Sequence, residues 1–251
     1  MKLPKRVANI VILATILVSA ACSNSEQMRI MSYNVHHCRG IDNYIDYKRI
    51  AEIINRTSPD VVALQELDSA TKRNNGKVCI NELANATEMH ASYTSTIEFG
   101  GGSYGIGLLS QQKPLSTKTI ALESRGEARR LLIAEFENFI VCCTHFPLNA
   151  DDRKASAEII CNSLKGHKKP LLLAGDMNCH TTAPEQSELL QMFSPLNDPL
   201  CGTYPSTTPH ECIDFIYALK NGNTFKILGS EVLYNDSIAS DHLPLYVDVE
   251  F

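Results

Sequence analysis

Polar side chains that could do chemistry stand where apolar runs of the sequence end. Residues 170–174 form such a run, and Gly175, Asp176 and Asn178 follow it. A short apolar run bounded by turn residues indicates a buried strand, and open α/β sheets bind ligands just beyond their strand ends. On an extended backbone Asp176 and Asn178 would point to the same side, so a carboxylate that takes a proton or binds metal would lie beside an oxyanion-binding amide. The alternative is a plain strand-to-turn junction, since Gly, Asp and Asn are ordinary turn residues.

The same pattern, a polar residue that ends or interrupts an apolar strand, recurs along the chain. Glu66 follows the apolar run 61–64, and Asp214 lies inside the run 212–217. A carboxylate at the inner end of such a strand is costly to bury without a partner, and a metal cation is one possible partner. The full set comprises Asn34, Glu66, His145, Asp176, Asn178, Asp214, Asp241 and His242. Their number indicates a shared site at one edge of the sheets.

The set is rich in oxygen ligands and contains no thiolate cage. Oxygen ligands suit Mg²⁺, Mn²⁺ or Ca²⁺ rather than a structural Zn²⁺. Mg²⁺ typically takes one or two protein carboxylates and leaves its other positions to water and phosphate. The residue types therefore predict hydrolysis of a phosphate ester with the help of Mg²⁺ or Mn²⁺.

The elements that must position these residues are strands and helices of one α/β domain. Apolar runs predict strands at 28–35, 61–64, 106–110, 131–136, 139–144, 170–175, 212–217, 225–234 and 245–250. Helical spacing of apolar residues predicts helices that contain 47–54, 80–87, 151–164 and 185–193.

One short motif suggests a different chemistry. Residues 101–105 match the G-x-S-x-G pattern of serine hydrolases, with Ser103 at its centre. That motif needs a strand before it and a helix directly after it. Here residues 106–110 have the pattern of a strand, which argues against a serine nucleophile.

The N-terminus has the pattern of a secretory signal. Three basic residues precede the apolar run 10–18, and the small residues 19–21 precede Cys22. This arrangement resembles a bacterial lipoprotein signal. It predicts removal of residues 1–21, a lipid on Cys22, a short tether over 22–28, and an exported protein anchored to the bacterial cell envelope. The alternative is a buried N-terminal strand.

Charge and cysteine content narrow the classes further. The formal net charge is −5 and no basic block is present, so the chain lacks the broad electrostatic footprint of a sequence-independent nucleic-acid binder. A local basic groove stays possible. Export would permit disulfides, and Cys201 and Cys212, which flank a proline-rich loop, are predicted to form one. The absence of a C-x-x-C pair argues against a structural zinc site.

The motifs also stand in the order of a known family. They are Asn34 in MSYNVH, Glu66 in LQE, Tyr104 in YGIGLLS, His145 in THF, Asp176 and Asn178 in GDMN, Asp214 in IDFI, and Asp241 with His242 in SDHLP. From about Arg29 to Phe251 the sequence resembles the endonuclease/exonuclease/phosphatase superfamily, the deoxyribonuclease I-like metal-dependent phosphoesterases. The resemblance implies a four-layered α/β/β/α sandwich, with two mainly antiparallel sheets packed face to face and helices outside.

The resemblance also implies roles for these residues. Glu66 would bind the divalent cation, with Asn34 and Asp241 in or near its shell. The catalytic set would be Asp176, which orients or deprotonates the attacking water, Asn178 and His145, which hold phosphate oxygens, His242 with its partner Asp214, and Tyr104. His242 would stabilise the charge that develops in the transition state.

Two departures from the family pattern bear on the substrate. Many secreted relatives carry Arg before the Ile-Asp of the later strand, where this chain has Cys212. The chain also has no Trp, so the Trp-bearing signature of AP endonucleases is absent. Arg129 and Arg130 could supply a phosphate contact or could form a solvated strand end.

We therefore expect an exported, monomeric metal-dependent hydrolase whose substrate is a phosphodiester of a nucleic acid or a phospholipid. One alternative is a phosphomonoesterase that acts on a sugar or inositol phosphate. The other is a non-catalytic lipoprotein that binds a ligand on the same fold.

Overall fold

A computed structural model describes residues 25–251 of the chain. The predicted signal segment 1–21 and Cys22 lie outside the described residues, as do residues 23 and 24 of the predicted tether, whereas Gln27 and Met28 at its end belong to a strand. No helix within 25–251 is long and apolar enough to cross a membrane.

The described chain forms two six-stranded sheets and four α-helices. The strands are β1 (Gln27–Asn34), β2 (Val61–Ser69), β3 (His90–Phe99), β4 (Gly102–Ser110), β5 (Ser116–Leu122), β6 (Arg129–Glu135), β7 (Ile140–His145), β8 (Leu171–Asp176), β9 (Phe193–Pro195), β10 (Asp214–Leu219), β11 (Lys226–Val232) and β12 (Leu245–Glu250). The helices are α1 (Tyr47–Thr57), α2 (Cys79–Thr87), α3 (Ala150–Leu164) and α4 (Ser187–Met192).

Both sheets are mixed but mainly antiparallel. The first has the strand order β11-β12-β1-β2-β4-β3, and the second has the order β5-β6-β7-β8-β10-β9. Only β1 pairs with β2, and β7 with β8, in parallel among the described strands. These two parallel pairs deliver the ends of four central strands to the edge where polar residues were predicted to meet.

The central strands read as continuous apolar runs because both of their faces are buried. In β2, Val61 and Ala63 join the core between the sheets, while Val62 and Leu64 join a second core outside the first sheet. In β8 the same alternation sends Leu172 toward the first of these cores and Leu173 toward a third core outside the second sheet. The period of two along a strand produces this division.

The helices cover the outer faces of the sheets. Ile50 and Ile54 of α1 belong to the core outside the first sheet, and Ile160 and Leu164 of α3 belong to the core outside the second. Asn149 caps α3 by accepting hydrogen bonds from the backbone N–H groups of its first turn. The predicted four-layered α/β/β/α sandwich is confirmed.

Three strands had no counterpart in the sequence prediction: β3, β5 and the three-residue β9, which begins at Phe193, where the sequence predicted the end of a helix. Strands β3 and β5 are edge strands, and most of their side chains are exposed or only half-buried. An edge strand without a buried face has no apolar run, so periodicity does not reveal it. The serine-hydrolase alternative is also wrong, because Ser103 lies inside β4, and its hydroxyl oxygen lies 3.2 Å from the phenol oxygen of Tyr93.

The predicted disulfide between Cys201 and Cys212 is not formed, since all eight cysteines within residues 25–251 are free thiols. The two side chains pack in different places: Cys201 lies against the core between the sheets, and Cys212 belongs to the core outside the second sheet. The spacing of the two cysteines around the proline-rich loop does not show which core each side chain joins.

The close approach of β7 and β8 can be tested at Gly175, the residue before Asp176 in β8. A methyl group there would lie 2.1 Å from the backbone oxygen of Thr144 in β7. We expect Gly175→Ala to lower the free energy of unfolding by about 1–3 kcal/mol, the usual cost of overpacking. Urea denaturation measures this. Gly126→Ala is the matched control, because a methyl group at Gly126 meets no atom within 4 Å. Equal stability of the two variants would contradict the close approach of β7 and β8.

Candidate active site

A cavity of about 730 Å³ opens at one edge of the two sheets. Seven of the nine predicted site residues line it: Glu66, Tyr104, His145, Asp176, Asn178, Asp241 and His242. The other two, Asn34 and Asp214, have no exposed surface and hydrogen-bond to residues of the cavity wall. The structure therefore brings the whole predicted set together.

Glu66 reaches the cavity through an irregularity in β2. The register with β4 shifts between Leu64 and Leu67, and Glu66 has a φ of +61°, in the left-handed region. A β-bulge of this kind bends the strand and redirects a side chain. Conformations of this type cost about 1–3 kcal/mol in a residue other than Gly, so the surrounding core must hold Glu66 in place.

Asn34 at the end of β1 connects the two sheets. Its amide nitrogen donates hydrogen bonds to Glu66 Oε1 at 3.1 Å and to Asp176 Oδ2 at 3.0 Å. Its carbonyl oxygen accepts one from the backbone N–H of His36 at 3.1 Å. Asn34 therefore fixes the spacing between Glu66 and Asp176, in addition to its predicted place in or near a metal shell.

Asp176 ends β8, and its neighbours hold both of its carboxylate oxygens. The parallel register places it opposite His145 of β7, whose Nε2 lies 3.5 Å from Asp176 Oδ2. The backbone N–H of Asn178 donates to Oδ1 at 2.8 Å. Asn178 has a φ of +49°, so the two side chains are not arranged by an extended backbone as the sequence spacing suggested. A turn places both on the cavity.

A buried ion pair lies directly behind Asp176. His242 Nδ1 lies 2.9 Å from Asp214 Oδ2, and His242 Nε2 lies 3.7 Å from Asp176 Oδ2. Thr203 donates a further hydrogen bond to Asp214 Oδ2 at 2.6 Å. The antiparallel register of β8 and β10 sets Asp176 opposite Asp214, so two carboxylates share one imidazole.

Burial and these neighbours set the protonation of the group. Burial lowers the pKa of His242, but the carboxylates of Asp214 and Asp176 outweigh it and raise that pKa to about 10. Burial and repulsion from Asp214 raise the pKa of Asp176 above its ordinary value, against the opposing charge of His242. His242 is therefore an imidazolium at neutral pH, and Asp176 is a more basic carboxylate than an exposed one.

His145 behaves in the opposite way. Burial and the positive charges of Arg129 and His242 hold the pKa of His145 well below its ordinary value. Its ring is neutral and offers one N–H donor, with Nδ1 buried and without a hydrogen-bond partner among the described residues.

Tyr104 and Arg129 form another part of the wall. Burial and the nearby Glu66 raise the pKa of Tyr104, so its phenol stays protonated and can donate a hydrogen bond. Arg129 is only 5% exposed, lines the cavity and pairs with Glu127 at 3.0 Å. The solvated strand end considered from the sequence is therefore wrong for Arg129.

Several wall residues were missed by the sequence reasoning. Arg73 lies 4.5 Å above the ring centre of Phe99 and is held by both oxygens of the buried Asp68. The ring of Tyr204 packs at 4.8 Å from that of His242. These residues lie in loops or on an edge strand, so no apolar run ends at them. His36 and His37 also line the cavity, and their position two and three residues after the strand end at Asn34 was an available signal.

The donor set fits a divalent cation. The carboxylates of Glu66 and Asp241 both face the cavity, and the amide of Asn34 lies behind them. Oxygen donors of this kind suit Mg²⁺ or Mn²⁺. Cys212 is buried and does not line the cavity, so no side chain at that position contacts a substrate there.

Fold and site together define a class of protein: a two-sheet α/β sandwich with a buried acid–imidazole group and a carboxylate site for a divalent ion at one sheet edge. The sequence model described as "Endonuclease/Exonuclease/phosphatase family" matches residues 31–242. The chain belongs to this family, which supports metal-dependent phosphoesterase activity.

Solved structures confirm the fold. An endonuclease/exonuclease/phosphatase from Beutenbergia cavernae superposes with a TM-score of 0.73 and 23% identity, over 90% of this chain and 72% of that chain. A family protein from Bacteroides thetaiotaomicron gives a TM-score of 0.74 and 16% identity, over 90% and 98%. The mannosyl-6-phosphatase Bt3783 of the same species gives 0.72 and 16%, over 89% and 100%.

The ion pair makes a testable prediction. We expect nitrogen-resolved NMR to show the His242 ring protonated at neutral pH, and Asp214→Asn to lower the pKa of His242, because the carboxylate that raises this pKa most is removed while burial still lowers it. Since the pKa is raised on folding, the pair's stabilising effect is complete below pH 6.5 and is lost as the pH rises through about 10. Asp198→Asn, at an exposed acid, is the control and should leave the titration of His242 unchanged. A neutral His242 at pH 7 in the unmodified protein would refute the assignment.

Proposed function

We propose that the chain is a divalent-metal-dependent phosphodiesterase in which water attacks phosphorus in line, without a covalent enzyme intermediate. The observation that carries the proposal is the buried group of Asp176, Asp214 and His242, linked through Asn34 to Glu66 at the same cavity. This arrangement combines a base, a cationic proton donor and a metal-binding carboxylate within one site.

Asp176 orients the attacking water and accepts its proton. Its basicity is raised by burial, which suits a general base at neutral pH. Hydrogen bonds from Asn34 and Asn178 fix the direction of its carboxylate before any substrate arrives. Pre-organised groups of this kind avoid a reorganisation cost in the transition state.

His242 stabilises the negative charge that develops on the phosphoryl oxygens. Asp214 holds its imidazolium in place, and the Thr203 hydroxyl in turn orients Asp214. Asn178, neutral His145 and the phenol of Tyr104 supply further donors from the cavity wall. Donors aimed at developing charge act most strongly in a buried site of this kind.

Glu66 and Asp241 would hold the divalent cation, with Asn34 in or near its shell. When bound, Mg²⁺ or Mn²⁺ supplies Lewis-acid polarisation of a phosphoryl oxygen and neutralises charge on the leaving group.

Charge in the cavity favours a diester over a monoester. Two guanidinium groups line the wall, and each already has an acidic partner: Arg73 pairs with Asp68 and Arg129 with Glu127. A diester carries one negative charge at neutral pH, whereas a monoester carries nearly two. The apolar surfaces of Phe99 and Leu148 also offer contacts for organic groups attached to the phosphate.

Phosphomonoester hydrolysis is the second candidate. The Bacteroides thetaiotaomicron protein with this fold is a mannosyl-6-phosphatase, which acts on a sugar phosphate. On this alternative the two guanidinium groups would exchange their acidic partners for the substrate's dianion.

We also propose that the enzyme works as a monomer at the bacterial cell envelope, held there by a lipid on Cys22. The predicted signal pattern of residues 1–22 supports this. Palmitate labelling of the expressed chain, lost in Cys22→Ala, would test the anchor.

Hydrolysis of bis-p-nitrophenyl phosphate and p-nitrophenyl phosphate tests the central proposal. We expect turnover of the diester with Mg²⁺ or Mn²⁺ and none with EDTA. Asp176→Asn should lower kcat by about 10²- to 10⁴-fold, the usual contribution of a general base, and His242→Gln by about 10²- to 10³-fold, as for loss of one oxyanion donor.

Asp198→Asn is the matched control for these variants and should retain full activity. Turnover of the monoester alone would favour the second candidate. No metal-dependent turnover of either compound, or full activity in Asp176→Asn, would contradict the proposed chemistry and favour a non-catalytic binding protein.

Arg129 provides a separate prediction on phosphate binding. We expect Arg129→Gln to raise KM for the diester by about 10-fold with a smaller change in kcat, because the guanidinium contacts the phosphate equally before and during reaction. Arg130→Gln is the control, since Arg130 is next to it in β6 but does not line the cavity. Steady-state kinetics at saturating metal measures both. An unchanged KM in Arg129→Gln would exclude the contact.

A further inference from the structure

The turn after β1 has an unusual backbone. His36, His37 and Cys38 have φ values of +44°, +45° and +61°, all in the left-handed region. Residues other than Gly are strained in such conformations. Local bonds hold the turn, including Cys38 N–H to Val35 O at 2.7 Å and Asp46 N–H to Cys38 O at 2.8 Å. The chain thus maintains a strained turn at the edge of the active-site cavity.

The turn presents two imidazoles to Glu66. Ligand atoms of His36, His37 and Glu66 all lie within 4.8 Å of one another, and all three residues line the cavity. Glu66 is itself held in the left-handed region by the bulge in β2. Two strained backbone segments, the turn after β1 and the bulge in β2, therefore converge on one point.

The buried ring of His37 is a second indication that this cluster binds a ligand, independent of the backbone strain. It is 3% exposed, and its Nδ1 has no hydrogen-bond partner among the described residues. An unpaired buried polar atom is costly, and native structures satisfy nearly all of them. A metal ion bound at Nδ1 would give the ring the partner that it lacks.

His36 is oriented as a ligand. Its Nδ1 lies 3.2 Å from the carbonyl oxygen of Arg39, which makes Nδ1 the protonated nitrogen and leaves the lone pair on Nε2. Metal-binding histidines usually donate their other N–H to a carbonyl or carboxylate in this way. Arg73 lines the same cavity, but the bidentate bond to Asp68 compensates its charge.

We propose that His36, His37 and Glu66 form a mixed nitrogen–oxygen metal site that selects Zn²⁺ or Co²⁺ over Mg²⁺. Imidazole ligands suit these ions, whereas Mg²⁺ prefers an all-oxygen shell. Three protein ligands leave positions open for water or substrate, as in catalytic zinc sites. The inference rests on the proposed function in that both place a cation at Glu66; it states which ion Glu66 binds more tightly, whereas the proposed function states that Mg²⁺ or Mn²⁺ supports turnover when supplied.

Direct binding of Co²⁺ to the metal-free purified protein tests this site without any substrate. The visible absorption spectrum of bound Co²⁺ shows whether the ion has nitrogen ligands and how many. We expect a Co²⁺ spectrum that a large excess of Mg²⁺ does not remove. His36→Gln and His37→Gln should each weaken Co²⁺ binding by about 10-fold or more. Mutating a residue that only hydrogen-bonds to a metal ligand already lowers metal affinity by about 10-fold, so loss of the ligand itself should cost at least as much.

His90→Gln is the matched control, because His90 is exposed and lies outside the cavity. It should bind Co²⁺ as tightly as the unmodified protein. Circular dichroism establishes that each variant is folded, and His36→Gln serves alone if the buried His37 does not tolerate change.

Equal Co²⁺ affinity in all these proteins, or displacement of Co²⁺ by Mg²⁺, would overturn the inference. Hydrolysis assayed separately with Mg²⁺ distinguishes the two proposals. Mg²⁺-dependent turnover without a nitrogen-ligated Co²⁺ spectrum would leave the proposed function intact and reject this site. A Co²⁺ site lost in both His variants, without hydrolysis by any ion, would support this site and reject the proposed function.

Discussion

The burial of two carboxylates and one imidazole at a single sheet edge is the constraint on which the rest of the site depends. Asp176 and Asp214 are 1% and 0% exposed, and strand register sets them opposite each other. Two buried acids repel each other unless a cation lies between them, and His242 supplies that charge. Removing His242 would leave two buried carboxylates without a cation, and removing either acid would take away a charge that raises the pKa of His242, so the three residues act as a unit.

The fold provides what this unit requires. Parallel pairing of β7 with β8 places His145 beside Asp176, and antiparallel pairing of β8 with β10 brings Asp214. Asn34 then joins the second sheet to the first through its bonds to Asp176 and Glu66. The three apolar cores offset the strained backbone at Glu66 and at the His36–Cys38 turn, because strain of a few kcal/mol persists only where the surroundings fix it.

The sequence revealed the central part of this architecture for a physical reason. Strands β2 and β8 are buried on both faces, so they appear as unbroken apolar runs, and the polar residues that end them are conspicuous. The family motifs then supplied the four-layered arrangement. Strands β3 and β5 escaped prediction because they lie at sheet edges and bury little.

The remaining features depend on tertiary contacts that no local pattern encodes. The burial of Arg129, the stacking of Arg73 on Phe99 and the packing of Tyr204 against His242 arise where separate loops meet. The bulge at Glu66 and the left-handed turn at Asn178 are likewise set by neighbouring strands rather than by residue type. Cysteine spacing gave a wrong disulfide because Cys201 and Cys212 belong to different cores.

The central claim is that Asp176 activates a water molecule for direct attack on phosphorus. Of the side chains in the cavity wall, Ser124 carries the one serine hydroxyl, and no described histidine or carboxylate hydrogen-bonds to it. The stereochemical course at phosphorus tests this claim most directly, with a diester made chiral by sulfur and hydrolysed in isotopically labelled water. A single in-line displacement predicts inversion of configuration. Retention would require two displacements and a covalent enzyme intermediate, and would contradict the account.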